Sequence, residues 1–454
     1  MDKILNSKHL KKVVVAGPGT GKTYLFKKIL EGKSNTLTLS FINALVEDLA
    51  LELYGLSEVR TLHSYARSAL ASLTKKNVEL FPKLAHVIRQ DAQVLLTVDI
   101  DFDPLLFNRK DDDEKLRFYS ERRKYYDRFG YTDIIFAAVK FFELHRDRVP
   151  AYEQIVVDEF QDFNLLEVSL IELLAEKSPI VLAGDDDQAL YDFKSASAEH
   201  IRGYHSGKDS PYAPFSLPYC ARCTRVIIDA ANDVIGAAKK QGLLKGRIEK
   251  PYRYFDCREK DAESAKYQRL EYRQVFAKQI PWVIATDVNS IAEELCSGFS
   301  ILIIAATTTQ CRSLAKTLRK KGFENVFLTK REDPEPTLLD GLTILLEDNE
   351  SNLGWRIVAR SLLKESNFNE ALISAGVEKP FGECVDNETR TRVASLLKKL
   401  RQHKAGSLDR EELLTLFDEL AIDALKESKE WLKDVLEGIR PVAKVAGLSL
   451  ESAK

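Results

Sequence analysis

The sequence predicts an α/β protein built around a parallel sheet, and three observations lead to that prediction. Short apolar runs, such as residues 13–15 and 155–157, have the length and composition of buried strands. Helical patterns follow these runs along the chain, as at residues 43–54 and 165–175. A glycine-rich loop follows the first apolar run directly and opens a further helical pattern. This alternation favours a sheet covered by helices.

Length, charge and cysteine usage narrow the class of protein. At 454 residues the chain is too long for one ordinary core, so about two to four domains are expected. The formal net charge of −2 excludes a globally basic nucleic-acid binder, so a nucleic acid would have to lie in a local groove. No apolar run reaches the roughly 20 residues that span a bilayer, and the six cysteines form no disulfide-like framework. These features predict a cytoplasmic protein that contacts no membrane.

A helical block interrupts the strand signals. Strands are predicted at residues 13–15 and 36–40, near the start of the chain. Residues 74–149 then have a helical and charged pattern without a clear strand. Strands return at 155–157 and 180–182. We therefore expect a helical insert within an α/β domain.

A second α/β segment is predicted in the C-terminal half. Residues 203–218 are rich in Gly, Ser, Pro and Tyr, which is typical of a linker. Beyond them, strands are predicted at 300–305 and 326–328, with a helix at 310–321 between the two. From residue 336 onward the pattern predicts helices alone.

The glycine-rich loop has the pattern of a phosphate-binding loop. A strand precedes it and a helix follows it, so its backbone N–H groups would point at a bound anion. Lys22 can reach the β- and γ-phosphates of a nucleotide, and the Thr23 hydroxyl can bind Mg²⁺. The predicted nucleotide-binding residues are Ala16, Gly17, Pro18, Gly19, Thr20, Gly21, Lys22 and Thr23. The alternative is a fortuitous glycine-rich turn.

Two carboxylates follow the predicted strand at residues 155–157. Ligands of parallel sheets bind beyond the carboxyl ends of the strands, so Asp158 and Glu159 would face the phosphate loop. Asp158 suits Mg²⁺ ligation, and Glu159 suits polarising the attacking water. The alternative is a solvated acidic loop.

An amide and two aromatic residues follow the next predicted strand. Gln188 lies just past the strand end, where an amide could sense a γ-phosphate or orient water. Tyr191 and Phe193 lie two residues apart and could offer aromatic faces to unstacked bases. The alternative for both rings is ordinary packing.

Taken together, the order of these motifs resembles the UvrD/Rep group of superfamily 1 DNA helicases. The matching segments are residues 16–23 (motif I), 39–43 (motif Ia), 60–65 (the Thr-x-His-Ser/Thr-Phe/Tyr element), 158–162 (motif II), 184–193 (motif III) and 217–224 (motif IV). The resemblance covers most of the chain, and the pairing of motifs II and III is highly specific to the group.

The resemblance implies a role for individual residues. It implies ATP and Mg²⁺ as cofactors, with Lys22, Glu159, Gln188 and Arg222 as the catalytic set and Thr23 and Asp158 as metal ligands. Arg222 would be the γ-phosphate arginine of motif IV. The residues implied to contact single-stranded DNA are Phe41, Asn43, His63, Tyr191 and Phe193.

The resemblance also implies an architecture. It consists of two RecA-like P-loop NTPase domains, the second incomplete, with helical 1B- and 2B-like insertions. The implied segments are residues 1–73 and 150–217 for domain 1A, 74–149 for the 1B-like insert, 218–345 for a partial domain 2A, and 346–454 for the 2B-like insert and the start of motif V.

Four positions depart from the pattern of the group. No glutamine precedes motif I to read adenine, and Ala221 stands where an aromatic residue usually precedes the motif IV arginine. Ile42 replaces a common threonine in motif Ia. Lys194 keeps a positive charge in motif III without the fork of an arginine. Selectivity for ATP over other nucleotides therefore stays open.

The last residues, 448–454, resemble the opening of motif V, and no candidate for motif VI follows. We therefore expect a fragment, an interrupted reading frame or a naturally shortened protein, whose site a protein partner or second chain would complete. The alternative is a frayed tail.

Three functions are compatible with these residues. The first is an ATP-dependent helicase or translocase on single-stranded DNA or DNA junctions, in DNA repair or anti-phage defence. The second is a truncated or degenerate helicase-like subunit that binds ATP or DNA without efficient turnover. The third is a P-loop NTPase that acts on protein or RNA.

Two further segments have alternative interpretations. Residues 117–128 mix basic and aromatic side chains, which suits either a nucleic-acid surface or a packed amphipathic helix. Cys220 and Cys223 form a lone CxxC pair, which favours incidental cysteines over a zinc or redox site.

Overall fold

The chain forms two compact units, residues 1–264 with 334–454 and residues 265–333. The computed structural model describes residues 1–41, 43–75, 78–111, 113–191, 194–266, 270, 272–295, 300–323, 326 and 335–402, without the side chains of residues 43–45, 295, 399, 400 and 402. The domain boundaries implied at residues 73, 149, 217 and 345 stay predictions, and the motif V segment at 448–454 lies outside the described residues.

A six-stranded parallel sheet forms the centre of the larger unit. The strands of the described residues are β1 (Lys11–Ala16), β2 (Thr36–Ser40), β3 (Glu58–Thr61), β4 (Gln154–Val157), β5 (Ile180–Gly184), β6 (Ala213–Leu217), β7 (Tyr219–Cys220) and β8 (Arg253–Tyr254). The sheet has the order β3-β2-β4-β5-β1-β6, and β7 pairs with β8 in a separate ribbon. Every pair of neighbours in the large sheet is parallel, which confirms the predicted α/β class.

Helices account for most of the other described residues. In chain order they are α1 (Asp2–Leu5), α2 (Lys22–Leu30), α3 (Asn43–Glu52), α4 (Leu62–Thr74), α5 (Leu84–Leu95), α6 (Asp103–Phe107), α7 (Glu114–Tyr126), α8 (Tyr131–Leu144), α9 (Leu165–Ala175), α10 (Ala198–Ser206), α11 (Arg225–Lys240), α12 (Arg258–Lys266), α13 (Ile280–Leu295), α14 (Thr308–Lys320), α15 (Leu338–Glu347), α16 (Asn352–Leu362), α17 (Glu365–Ala375) and α18 (Asn387–Gln402). Within the described ranges, no helix is long and apolar enough to cross a membrane.

Alternate residues of the strands enter two different cores, because successive side chains of a strand point to opposite faces. Val13 and Val15 of β1 pack in one cluster with residues of α4, α8 and α9. Val14 packs in another with Leu25 and Phe26 of α2. Helices therefore cover both faces of the sheet, which explains why its central strands are continuous apolar runs.

The sequence located four of the strands. The prediction at residues 36–40 matches β2, and those at 13–15, 155–157 and 180–182 lie within β1, β4 and β5. The helical pattern predicted for residues 74–149 is confirmed too, since α5 to α8 fall within it and no strand element interrupts it where the chain is described.

The predicted linker at residues 203–218 is wrong. Its first residues complete α10, and residues 213–217 form β6, which pairs with β1 at the edge of the sheet. Pro214 lies opposite Val13 in this pairing. A proline is tolerated at a sheet edge because no outer strand needs its missing N–H group.

The strand predicted at residues 300–305 is also wrong. These residues form no strand, and Leu302 and Ile304 are each 83% exposed. An apolar run becomes a strand only where a neighbour pairs with its backbone groups, and none of the described residues does so here. The strand predicted at 326–328 lies almost wholly outside the described residues, whereas the helix predicted at 310–321 corresponds to α14.

The helices after residue 337 pack against the insert. Ile344, Leu353 and Ile357 share one apolar cluster with Val87 and Ile88 of α5. Apolar residues therefore join two segments of the chain that lie more than 200 positions apart in the sequence.

A buried charge cluster strengthens this contact. Asp91 of α5 lies between Arg122 of α7 and Arg356 of α16, and all three side chains are at most 1% exposed. Arg122 Nε donates to Asp91 Oδ2 at 2.9 Å, and Arg356 Nε donates to Asp91 Oδ1 at 3.0 Å. Tyr126 donates to the same carboxylate, and Gln90 accepts from Arg356. The burial of Arg122 supports a packed helix rather than a nucleic-acid surface at residues 117–128.

Replacing Asp91 should separate these two helical segments. Asp91→Asn would leave two buried guanidinium groups without their counter-charge, and removing one partner of such a buried pair costs about 3–5 kcal/mol of the free energy of unfolding. Urea unfolding followed by circular dichroism measures the loss. The control is Arg89→Met, a substitution at another residue of α5. It breaks an exposed pair between Arg89 and Asp99 and should have a much smaller effect. Equal effects of the two substitutions would contradict the packing described.

Candidate functional site

The candidate site lies where three neighbouring strands end. β5 pairs with β1 on one side and with β4 on the other, and all three are parallel. Their carboxyl ends therefore meet at one edge of the sheet. The phosphate loop follows β1, the acidic pair follows β4, and Asp185 follows β5.

The loop after β1 has the backbone geometry of an anion cradle. Gly19 and Gly21 have φ angles of +68° and +88°, which glycine adopts without a steric penalty. The Thr20 hydroxyl donates to the Gly17 carbonyl oxygen at 2.8 Å and closes the turn. Helix α2 then begins at Lys22, so Thr23 lies in its first turn. The N–H groups of this turn have no partner within the helix and are free to bind an anion.

Lys22 is held by the acidic pair. Its Nζ lies 2.7 Å from Glu159 Oε1 and 3.9 Å from Asp158 Oδ1. Burial lowers the pKa of Lys22, but the two carboxylates outweigh burial and leave that pKa above its ordinary value. Lys22 therefore stays protonated and presents a positive charge beside the loop.

Asp158 has the features of a cation ligand. Its Oδ1 is buried and accepts no hydrogen bond from the described residues. Burial raises the pKa of Asp158 to about 6, although Lys22 opposes the shift. A buried carboxylate oxygen without a donor suits Mg²⁺, which prefers oxygen ligands. The donor set thus fits the predicted metal, with Asp158 and Thr23 as the candidate ligands.

Gln161 connects the acidic pair to the next strand. Its Nε2 donates to Glu159 Oε2 at 3.0 Å, and its Oε1 accepts from the Asp185 backbone N–H at 2.9 Å. Gln188 Nε2 in turn donates to Asp185 Oδ2 at 2.6 Å. A Cβ atom at Gly184 would lie 2.5 Å from Gln161 Oε1, so only glycine allows this approach. Sequence reasoning missed Gln161, and the only signal was its place within residues 158–162.

The segment that carries Arg222 lies against the phosphate loop. The Ala221 backbone N–H donates to the Gly19 carbonyl oxygen at 3.0 Å. A Cβ atom at Gly19 would lie 2.5 Å from Arg222 Cβ and 3.0 Å from Cys220 Sγ. Arg222 itself is exposed. Motif IV is therefore adjacent to the cradle, with its arginine at the solvent side.

Tyr252 is a second residue that sequence reasoning missed. Its hydroxyl donates to the Pro18 carbonyl oxygen at 3.0 Å, and its ring lies 2.9 Å from the position of a Cβ atom at Gly17. An aromatic ring thus contacts the phosphate loop even though Ala221 supplies none. No local pattern marks Tyr252, because it follows the loop by more than 200 residues.

Candidate DNA-binding residues gather around Lys194. The rings of Phe41 and Tyr191 lie 4.9 Å apart, and Lys194 Nζ lies 5.2 Å from the first and 5.7 Å from the second. Loss of hydration lowers the pKa of His63 to about 4, and the charge of Lys194 adds to the shift. His63 is therefore neutral at physiological pH, and its ring contacts Tyr131 at 5.5 Å.

Two of the predicted DNA contacts cannot be placed. Asn43 begins α3, but its side chain lies outside the description. Phe193 also lies outside the described residues. Their predicted roles stay predictions.

Comparison with known proteins agrees with this geometry. Residues 106–206 match the model of the UvrD/REP helicase N-terminal domain. DNA helicase II of Haemophilus influenzae is 31% identical over 137 residues, which are 28% of this chain and 19% of that protein. The ATP-dependent DNA helicase PcrA of Staphylococcus aureus is 32% identical over 160 residues, which are 31% of this chain and 21% of that protein.

Part of this chain is therefore similar to UvrD/Rep helicases. The matched residues 106–206 include the acidic pair, Gln161 and Gln188, so this match covers the ends of β4 and β5 but not the phosphate loop after β1. The chain spans about a fifth of the length of the Haemophilus and Staphylococcus relatives, at 19% and 21%. The match therefore supports the domain type and not the whole activity of those helicases.

Gly19→Ala should disturb the phosphate loop. A Cβ atom there meets Arg222 Cβ, and a side chain at positive φ costs about 1–2 kcal/mol. We expect a lower thermal midpoint and at least a tenfold weaker affinity for a fluorescent ATP analogue. The control is Gly236→Ala in α11, where a Cβ atom would meet nothing within 4 Å. That substitution should leave nucleotide affinity unchanged and slightly raise the midpoint, because alanine favours a helix.

Proposed function

We propose that this protein is an ATP- and Mg²⁺-dependent DNA helicase or translocase of the UvrD/Rep type that binds single-stranded DNA or DNA junctions. The observation that carries the proposal is the continuous set of contacts from Lys22 through Glu159, Gln161 and Asp185 to Gln188. These contacts join the ends of the three neighbouring strands β1, β4 and β5. The relatives named DNA helicase II and PcrA support the same function.

Each residue of the set has a chemical role in the proposal. Lys22 balances phosphate charge, and the backbone N–H groups of the loop orient the phosphates. Asp158 and Thr23 would hold Mg²⁺, which neutralises charge that develops on the phosphate oxygens. Glu159 accepts a proton from the attacking water, and its hydrogen bond with Gln161 fixes its orientation.

Gln188 and Arg222 have roles at the γ-phosphate in the proposal. The Gln188 amide senses that phosphate from the end of β5, while Arg222 approaches from the motif IV segment beside Gly19. A guanidinium group at this position can contribute about 10³–10⁵ to the rate. A protein partner or a second chain would supply any arginine that this segment does not.

The aromatic cluster is proposed to hold the DNA strand. Bases stack on aromatic rings with about 1–3 kcal/mol each, which suits Phe41 and Tyr191, and Lys194 adds a positive charge beside them. His63, Asn43 and Phe193 complete the proposed set. Repair and anti-phage defence both fit such an activity, and the cytoplasmic location stays a prediction.

The direct test is ATP hydrolysis by the purified chain, with and without single-stranded DNA. We expect turnover that DNA stimulates, and Glu159→Gln should lower it about 10²–10⁴-fold while nucleotide binding persists, because a general base contributes that much. Glu176→Gln, a substitution at an exposed carboxylate after α9, is the control and should retain turnover.

The alternative outcomes are informative. ATP binding without turnover in the unmodified chain would favour a helicase-like binding subunit instead of a motor. Full turnover by Glu159→Gln, or no nucleotide binding by the unmodified chain, would contradict the proposal. Stimulation by RNA alone would favour an NTPase of another class.

A further inference from the structure

A lysine distant in sequence lies among three consecutive carboxylates after β5. Lys250 Nζ lies 2.6 Å from Asp185 Oδ1 and 3.0 Å from Asp187 Oδ2, and it also contacts Asp186. The side chain of Lys250 is only 5% exposed. Burial lowers the pKa of Lys250, but Asp185 and Asp186 outweigh it and raise that pKa. The lysine is therefore a buried, charged group enclosed by acids.

The three carboxylates have different partners. Arg247 forms a two-pronged pair with Asp187, at 2.7 and 2.8 Å. Asp186 accepts from Arg202 Nε at 3.2 Å and from the Ile248 backbone N–H. Carboxylates this close could hold a metal ion, but the ammonium group of Lys250 already lies between them. The cluster is therefore charge-balanced by side chains of this chain.

Asp185 differs from the other two because it also binds Gln188. Its Oδ2 accepts from Gln188 Nε2 at 2.6 Å. Its Oδ1 pairs with Lys250 at 2.6 Å and also accepts from the Asp187 backbone N–H at 3.2 Å. The Lys250 contact is the shorter of the two and joins opposite charges, so Lys250 is the stronger restraint on the carboxylate that orients the Gln188 amide.

We propose that Lys250 is a positioning residue for the nucleotide site, acting through Asp185 to hold Gln188 in the orientation that recognises the γ-phosphate. This inference rests on the proposed function, since it assigns Gln188 to that phosphate. Among the described residues, Lys250 contacts neither the phosphate loop nor the acidic pair, so its effect passes through Asp185. Tyr252, two residues after Lys250, donates to the Pro18 carbonyl oxygen, so the segment that carries Lys250 is anchored to the phosphate loop.

The test compares how well variants distinguish a triphosphate from a diphosphate. Fluorescent (N-methylanthraniloyl) AMP-PNP and ADP are titrated with Mg²⁺ into the full chain, which requires no turnover. Unmodified protein should prefer the triphosphate, and Gln188→Ala should lose that preference. We expect Lys250→Met to lower the preference roughly tenfold, with ADP affinity nearly unchanged, because a hydrogen bond to a charged group is worth about that factor.

Arg247→Met is the matched control. It removes one positive charge from the same segment and the same carboxylates, but its partner is Asp187, which does not bind Gln188 in the described contacts. It should keep the triphosphate preference. Equal losses for Lys250→Met and Arg247→Met would show simple charge balance and overturn the inference, as would an unchanged preference in Lys250→Met.

A double variant tests whether an unbalanced buried charge, and the misfolding it could cause, explains the result for Lys250→Met. Lys250→Met combined with Asp185→Asn removes opposite charges together, so the charge balance of the cluster is kept. It should fold, as circular dichroism would show, and still lack the preference; retention of the preference would overturn the inference. If the unmodified chain binds both nucleotides equally, the inference fails while nucleotide binding stands. If it binds neither, the proposed function fails.

Discussion

The parallel pairing of β5 with both β1 and β4 is the constraint on which the site depends. It places the ends of the three strands side by side. Lys22 therefore contacts Glu159 directly, and Gln161 connects Glu159 to Asp185 by one hydrogen bond to each. Parallel strands need crossover connections, and these connections bring helices over both faces. Helices α4 and α8 of the long connection between β3 and β4 pack in one core with Val13 and Val15 of the sheet, so this connection covers one of the two faces.

Opposite charges are paired in two adjacent places at this edge. Lys22 pairs with Glu159 and Asp158 next to the phosphate loop, and Lys250 pairs with the three carboxylates after β5. Burying a charge is costly unless a partner compensates it, so each lysine and its carboxylates stabilise one another. Asp158 is only partly compensated, because burial raises its pKa to about 6 even though Lys22 is nearby. Its Oδ1 accepts no hydrogen bond from the described residues, which is consistent with a ligand for a cation.

Local chemistry made much of the site predictable. The strands, the glycine-rich loop, the acidic pair and Gln188 each carry a signal within about ten residues, as strand–turn–helix units do. β6 was missed because Pro214 and its glycine- and serine-rich surroundings indicate a loop, and only pairing with β1 makes it an edge strand. Lys250 and Tyr252 were missed because their partners are distant in sequence. The contact between Asp91 and Arg356 was missed for the same reason. Long-range pairing of charges leaves no periodic pattern to detect.

We propose that the loop after β1 and the carboxylates after β4 form one Mg²⁺-nucleotide site. The decisive measurement is calorimetric titration of ATP with and without Mg²⁺, on the unmodified chain and on Lys22→Met. We expect one Mg²⁺-dependent site whose affinity falls at least tenfold in Lys22→Met. Lys28→Met, at an exposed lysine of the same helix, should bind as the unmodified chain does. Equal affinity in Lys22→Met, or ATP binding that does not depend on Mg²⁺, would show that these residues do not form such a site.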